Sequence, residues 1–360
     1  MNQQRHMTRY IVSLTATFLI GFSVIHERAP AALSTTKQNP QEFSDTTDSP
    51  TTIQQLRQAA AQGDSHAQVE LGLRYIQGVG VPRNYEEALR WFHSAAAHGE
   101  PAAQVKLGIM YADGLGVPSN PVEALKWYRA AAAQGESQAQ INLGFMYYQG
   151  HGVSQDSIEA LKWFRLAADQ GSPRAQVNVG FMYHQGLGVQ QDYAEALRWY
   201  SKAAAQGYAQ AQVNLGFMYY RGDGVQQNYA EARRWFLTAA AQGLPTAQLN
   251  LGTMYLEGQG VQHDATTALW WYQQAAEQGL AVAQLNLGVM YAEGHGIAVD
   301  YVQAYKWLTL AGNTLEPGPD YEAARRYYRQ VSAKMTPEQI LHAQQLVQEW
   351  RPTLLNKTYP

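Results

Sequence analysis

The chain repeats itself every 36 residues. Units begin at Ala67, Ala103, Ala139, Ala175, Ala211, Ala247 and Ala283, and they run on without insertion. Of the 31 glycines, 28 fall in four columns of that period, and seven of the nine tryptophans share a fifth. A period of this length marks an array in which each unit buries its apolar face against its neighbours. The 360 residues are therefore organised as one repeat array and not as a mosaic of domains.

Within a unit the apolar spacing is that of two helices. In residues 139–174, Ala139, Leu143, Met146 and Tyr147 recur at helical intervals and form one face of a first helix, A. Gly150 ends it and Gly152 follows, because a residue in the left-handed region costs least as glycine. A second helix, B, is announced by Asn84, Asn120, Asp156, Asp192, Asn228, Asp264 and Asp300, whose side-chain oxygens suit the free N–H groups of a helix start. Three residues on stand Glu87, Glu123, Glu159, Glu195 and Glu231, then Thr267 and Gln303, a pattern like a capping box. Pro121 takes a first helical position, where its missing N–H is harmless. Gly99, Gly135, Gly171, Gly207, Gly243 and Gly279 close helix B. Inside it, Ala160, Leu161, Trp163, Phe164, Ala167 and Ala168 alternate bulky and small groups, so the rings are expected to enter gaps left by the alanines and by Gly144 on helix A.

The run A-x-x-x-LG-x-x-Y-x-x-G-x-G-V, followed by Asp/Asn, A-x-x-W, AA and G, resembles the Sel1-like repeat, a relative of the tetratricopeptide repeat. Departures are small: Val179 replaces leucine, Ile297 replaces valine, and Gly312 falls earlier than the closing glycine of other units. The resemblance implies an all-α fold, a right-handed superhelical α-solenoid of antiparallel helix pairs, with seven repeats over residues 67–318. A capping helix is expected over 51–66, where TTIQQLRQAAAQ looks like a helix B without its tryptophan, and capping helices over 319–360. The last of these opens with Thr336-Pro337-Glu338-Gln339 and carries Ile340, Ala343, Leu346, Val347 and Trp350 on one face.

Arg5, His6 and Arg9, then the largely apolar run Tyr10 to Ile25, then Ala29-Pro30-Ala31, read as a bacterial secretory signal over residues 1–31. An uncleaved signal anchor is the alternative, since the run lies between the lengths of a signal core and a spanning helix. Residues 32–50 are polar and read as a disordered linker. These features predict an exported protein, periplasmic, with secreted or inner-membrane-anchored forms as alternatives. Any membrane contact would pass through that uncleaved segment.

The chemistry-bearing patterns are sparse. With no cysteine, disulfides, cysteine nucleophiles, zinc clusters, iron–sulfur ligation and a lipoprotein acyl site are excluded. A net charge of −3 without a basic cluster offers nucleic acid no footprint. The Gly-x-Gly pairs follow a helix, where a nucleotide fingerprint follows a strand. Ser34 and Lys37 match a Ser-x-x-Lys spacing within the linker, without a packed shell to activate the serine. His151 and His295 read as solvated loop residues, and no metal or cofactor site is expected. Glu86, Glu87 and Arg90, and their counterparts, read as surface pairs on helix B. The basic column Arg90, Lys126, Lys162, Arg198, Arg234 and Lys306 reads as a solvated face, with contact to an anionic surface as the alternative.

A partner face is expected on helix A, opposite Ala139, Leu143 and Tyr147, because an α-helix turns about 100° per residue. Stacking aligns Asn142, Asn178, Asn214 and Asn250 in one row, continued by Asn286, with Phe145, Phe181 and Phe217 in the next. Tyr148, His184 and Tyr220 form a third row, flanked by Gln149, Gln185 and Arg221. Rings supply contact area at small entropic cost and amides both donate and accept, which suits a peptide or a partner helix. The alternative is that the phenylalanines pack against the adjacent hairpin. The residues thus point to a non-catalytic protein-binding scaffold of the bacterial envelope with its partner on the concave helix-A side. That role and geometry are what the resemblance implies. Two rival readings remain: a hydrolase of β-lactam or cell-wall amides, carried by family analogy alone, and a secreted host-interacting effector.

Overall fold

In the computed structural model each 36-residue period is a helix, a glycine-bearing loop and a second helix. The structure describes residues 50–353. The expected signal segment, the expected linker apart from Pro50, and residues 354–360 of the expected C-terminal cap lie outside the described residues. The described residues are all-helical, with helix pairs following one another as an α-solenoid.

The chain divides into two compact units, and the division falls between Trp199 and Tyr200. In the first, α1 (Pro50–Ala61) precedes the A and B helices of three repeats and helix A of a fourth. These are α2 (Ser65–Gln77), α3 (Tyr85–Ala97), α4 (Pro101–Asp113), α5 (Pro121–Ala133), α6 (Ser137–Gln149), α7 (Ser157–Asp169) and α8 (Pro173–Gln185). Each packs on the helix before it. The boundary lies within α9 (Tyr193–Ala205), helix B of that fourth repeat.

The second unit continues with α10 (Ala209–Arg221), α11 (Tyr229–Ala240), α12 (Pro245–Glu257), α13 (Ala265–Glu277), α14 (Ala281–Glu293) and α15 (Tyr301–Thr314), again in consecutive contact. Two helices follow, α16 (Pro319–Ser332) and α17 (Pro337–Glu349), and both pack on α15. Ala343 enters the core beside Tyr305 and Leu308, and the Trp350 ring lies edge-on to Trp307. Gly312 sits inside α15 and does not end it.

The loop between A and B is fixed by two devices. Gly150 at the end of α6 has φ +74° and Gly152 has φ +71°, a region in which a side chain would be strained. Seven cap side chains then accept backbone N–H groups of helix B, as Asp156 Oδ1 does from Ile158 and Glu159 at 2.9 and 3.0 Å. The reciprocal half of a capping box does not form in the repeats. The backbone N–H of each cap residue already donates to a tyrosine carbonyl of helix A, Asp156 to Tyr147 at 2.8 Å and Asn84 to Tyr75 at 2.8 Å. The glutamates are left for the basic column and pair with Arg90, Lys126, Lys162, Arg198 and Arg234. A complete box joins Thr336 and Gln339 at the start of α17.

Candidate partner-binding face

Helix A is buried around most of its girth where it packs against the helix B before it and the helix B of its own repeat, as α4, α6, α12 and α14 do. In α6, which touches both α5 and α7, Ala139 through Met146 are buried apart from Asn142. This divides the expected face into interior and accessible members.

In the first unit, Asn142 is half-buried and its Oδ1 accepts from Gln138 Nε2 at 2.9 Å. Phe145 is 9% exposed, its ring edge-on to Phe164 at 5.1 Å between centroids, with the Arg174 guanidinium 5.5 Å from its own centroid. Asn178 is buried, and its Nδ2 has no hydrogen-bond partner among the described residues. His184 is buried and edge-on to Tyr193. Tyr148, Gln149 and Phe181 are half-buried and Gln185 is exposed. Burial pushes the Tyr148 phenol up from its ordinary value, so it stays a neutral donor.

In the second unit, Asn214 and Asn250 are buried, Asn214 accepting from Gln210 at 3.2 Å and Asn250 donating to the Thr246 carbonyl at 2.8 Å. Phe217 is 4% exposed and edge-on to Phe236 at 5.4 Å. Tyr220 is half-buried, lies edge-on to Tyr229 and donates its hydroxyl to Gln259. Burial, and secondarily the Glu257 charge, raise its phenol well above the usual range. Arg221 is exposed.

Phe145, Phe217 and most of the asparagine row therefore line the interior between helices. The accessible part of the face is the last turn of helix A: Tyr148 with Gln149, Gln185, and Tyr220 with Arg221. Asn142 and Phe181 lie at its inner edge.

Two sets of residues that the expected face omits carry the contacts between helices. Gln68, Gln104, Gln140, Gln176, Gln212, Gln248 and Gln284, one per repeat, are all buried. Gln104, Gln140, Gln212 and Gln248 accept from Gln134, Gln170, Gln242 and Gln278 at 2.7 to 2.9 Å. Gln68, Gln176 and Gln284 donate to the Ala60, Ala168 and Ala276 carbonyls of the preceding helix. An amide recurring in every repeat amid alanine and leucine was the available signal. The second set joins helix B to the tyrosine of the next helix A. Arg57, His93 and Arg129 reach the hydroxyls of Tyr75, Tyr111 and Tyr147, and Arg165 lies 5.3 Å from the Tyr183 ring centroid. Burial lowers the His93 pKa, with the Glu123 charge acting against it.

His151 is exposed in its loop, whereas His295 is not a solvated loop residue: its Nε2 sits 2.8 Å from Glu293 Oε2. Among the described residues no three histidine or acidic side chains are grouped to hold a metal ion, and no helix is long and apolar enough to cross a membrane.

The Sel1 repeat profile matches eight consecutive segments: 65–100, 101–136, 137–172, 173–208, 209–244, 245–280, 281–313 and 315–333. Among solved structures, a Sel1 repeat protein from Oxalobacter formigenes is 32% identical, with a TM-score of 0.65, over 84% of this chain and 99% of that one. A protective antigen of uropathogenic Escherichia coli strains with an SLR fold is 30% identical over 85% of this chain and 88% of that one, with a TM-score of 0.35. None of the curated proteins matches.

Proposed function

From the premise that the chain belongs to the Sel1 repeat family, we propose that it is a non-catalytic scaffold of the bacterial envelope that holds a peptide or protein partner along the accessible turn of its A helices. The observation that carries this reading is the recurrence of the same amphipathic edge. Tyr148 and Gln149 in the first unit, and Tyr220 and Arg221 in the second, occupy equivalent last turns above buried Phe145 and Phe217. Tyr220 is held edge-on to Tyr229 and Tyr148 is half-buried, so little conformational entropy is lost when a partner docks on them. The flanking glutamine and arginine side chains match the carbonyls and carboxylates of an extended chain. Export rests on Arg5, Arg9 and the apolar run before Ala31.

A photo-crosslinking residue placed at Gln149, Gln185 or Arg221 should capture a defined partner, while one at Lys162 on helix B should not. Equal capture from Lys162 would place the partner elsewhere. Fractionation of cells producing the full chain tests the address, and recovery in the cytosol with the N-terminus intact would count against export.

A further inference from the structure

One cleft in the second unit departs from the repeat at three positions. It has a volume of about 470 Å³ and is lined by Arg233, Tyr255, Val261, Gln262, His263 and Asp264. Arg233, on α11, stands in the column that holds Leu89, Leu125, Leu161, Leu197 and Leu269. Leu89 and Leu125 join the apolar core that includes the loop valines Val117 and Val153. Arg233 brings a cation to the equivalent place beneath Val261 and is half-buried there.

The cleft's other polar groups have lost their repeat partners. In four repeats the side chain at the His263 position donates to a helix-A carbonyl: Ser119 to Ala112, Gln155 to Tyr148, Gln191 to His184 and Gln227 to Tyr220. Tyr255 stands in the column in which the Tyr75, Tyr111 and Tyr147 hydroxyls meet Arg57, His93 and Arg129, and Leu237 takes the place of that basic residue, as Ser201 and Gln273 do in two other repeats. No side-chain hydrogen bond or ion pair joins Arg233, Tyr255 or His263 to another described residue. Asp264 is already engaged, its Oδ1 by the Thr266 and Thr267 backbone and its Oδ2 by the Thr267 hydroxyl.

We propose that this cleft binds a carboxylate of an acidic peptide, with Arg233 as the principal contact and Tyr255 and His263 as further polar contacts. A guanidinium presents a planar fork that matches a carboxylate in two parallel bonds. The Asp264 charge in the same lining works against a doubly charged phosphate and favours a monoanion. A cleft of this volume admits an acidic side chain and its flanking backbone. The site is formed by helix B, the last turn of the next helix A at Tyr255 and the loop that follows, and it uses none of the residues of the expected helix-A face.

The test uses the full chain and four probes: an N-acetylated pentapeptide amide with one central glutamate, its glutamine counterpart, acetate, and inorganic phosphate. Phenylglyoxal modification of each arginine is followed by mass spectrometry. The glutamate peptide should slow modification of Arg233 about tenfold at saturation, the step expected of a charge-assisted pair, and leave Arg90 unaffected. The glutamine peptide should give no protection. Arg233→Leu restores the residue of five of the six other repeats and should keep its helicity while losing the calorimetric signal of the glutamate peptide. Protection by neither peptide, or by both equally, overturns the proposal. So does stronger protection by phosphate, acetate protecting as well as the peptide, or undiminished binding to Arg233→Leu.

Discussion

The Phe164 ring fills the space that a side chain on Gly144 would occupy: a Cβ built there would overlap the ring at Cε1 and Cδ1. The same contact recurs between Gly72 and Phe92 and between Gly252 and Tyr272, where that Cβ would stand 2.6 Å from a ring carbon. Helix A thus lets a fully buried ring of helix B approach its backbone, and this sets the spacing within each pair. Gly144→Ala should be destabilising even though alanine favours a helix by about 1 kcal/mol. Forcing a methyl group into a packed ring costs about 1–3 kcal/mol, and the close overlap at Gly144 puts it toward the upper end, so a net loss of up to about 2 kcal/mol is expected. Equilibrium urea unfolding of the full chain checks it: the first transition should move to lower urea, and an unmoved midpoint would mean that the ring can withdraw.

Gln248 Oε1 accepts from Gln278 Nε2 at 2.7 Å, tying the start of α12 to the end of α13. Gln248 is buried, so without Gln278 its side-chain oxygen has little water to turn to. Gln278→Leu should therefore cost about 1–2 kcal/mol, and Gln248→Leu less, because the half-buried Gln278 that it leaves behind still reaches water and the Gln274 carbonyl. Thermal unfolding of both single variants and the double variant should reveal coupling of about 0.5–1 kcal/mol, whereas strict additivity would remove the pair from the list of staples.

Glu293, at the end of α14, accepts from Tyr327 of α16 at 2.8 Å and meets His295 at 2.8 Å. The His295 hydrogen bond holds its carboxyl below the ordinary range, with the Tyr327 hydroxyl adding to that effect and burial opposing it. A depressed carboxylate pKa contributes stability that is present above the unfolded value, about 4.3, and lost as pH falls through the folded one. Melting temperature followed from pH 6 to pH 3 should fall less steeply for Glu293→Gln than for the natural chain. Parallel curves would show that Glu293 does not link folding to protonation.

Periodicity and cap chemistry made the helices legible before the structure. The asparagines and aspartates announced every helix B, and Gly144 announced a ring-sized gap. The candidate face was legible only in part. Projection on one helix separates an inner side from an outer side, but it cannot show that α6 is enclosed by α5 and α7, which takes Phe145 and Ile141 into the interior. Hydrogen bonds between repeats were equally hidden, since Gln140 and Gln170 meet across 30 residues of sequence. Arg233 was visible as a lone arginine among leucines, yet the loss of partners at Tyr255 and His263 emerged only with the cleft.

The division of the face between interior and edge makes opposite demands on Phe145 and Tyr148, three residues apart on α6. Phe145→Ser removes a buried ring and sets a hydroxyl beside Phe164, so it should cost about 3–4 kcal/mol. Any loss of partner capture in that variant would follow from disrupted packing and would appear together with a lowered unfolding midpoint. Tyr148→Ser removes a half-buried ring from the accessible turn and should cost about 1 kcal/mol or less. If the edge holds the partner, Tyr148→Ser weakens capture about tenfold with helicity and midpoint nearly unchanged, as expected for an aromatic contact at an interface centre. Circular dichroism, urea titration and binding measured on the same preparations separate the two effects. Full capture by folded Tyr148→Ser would move the binding surface off the A helices.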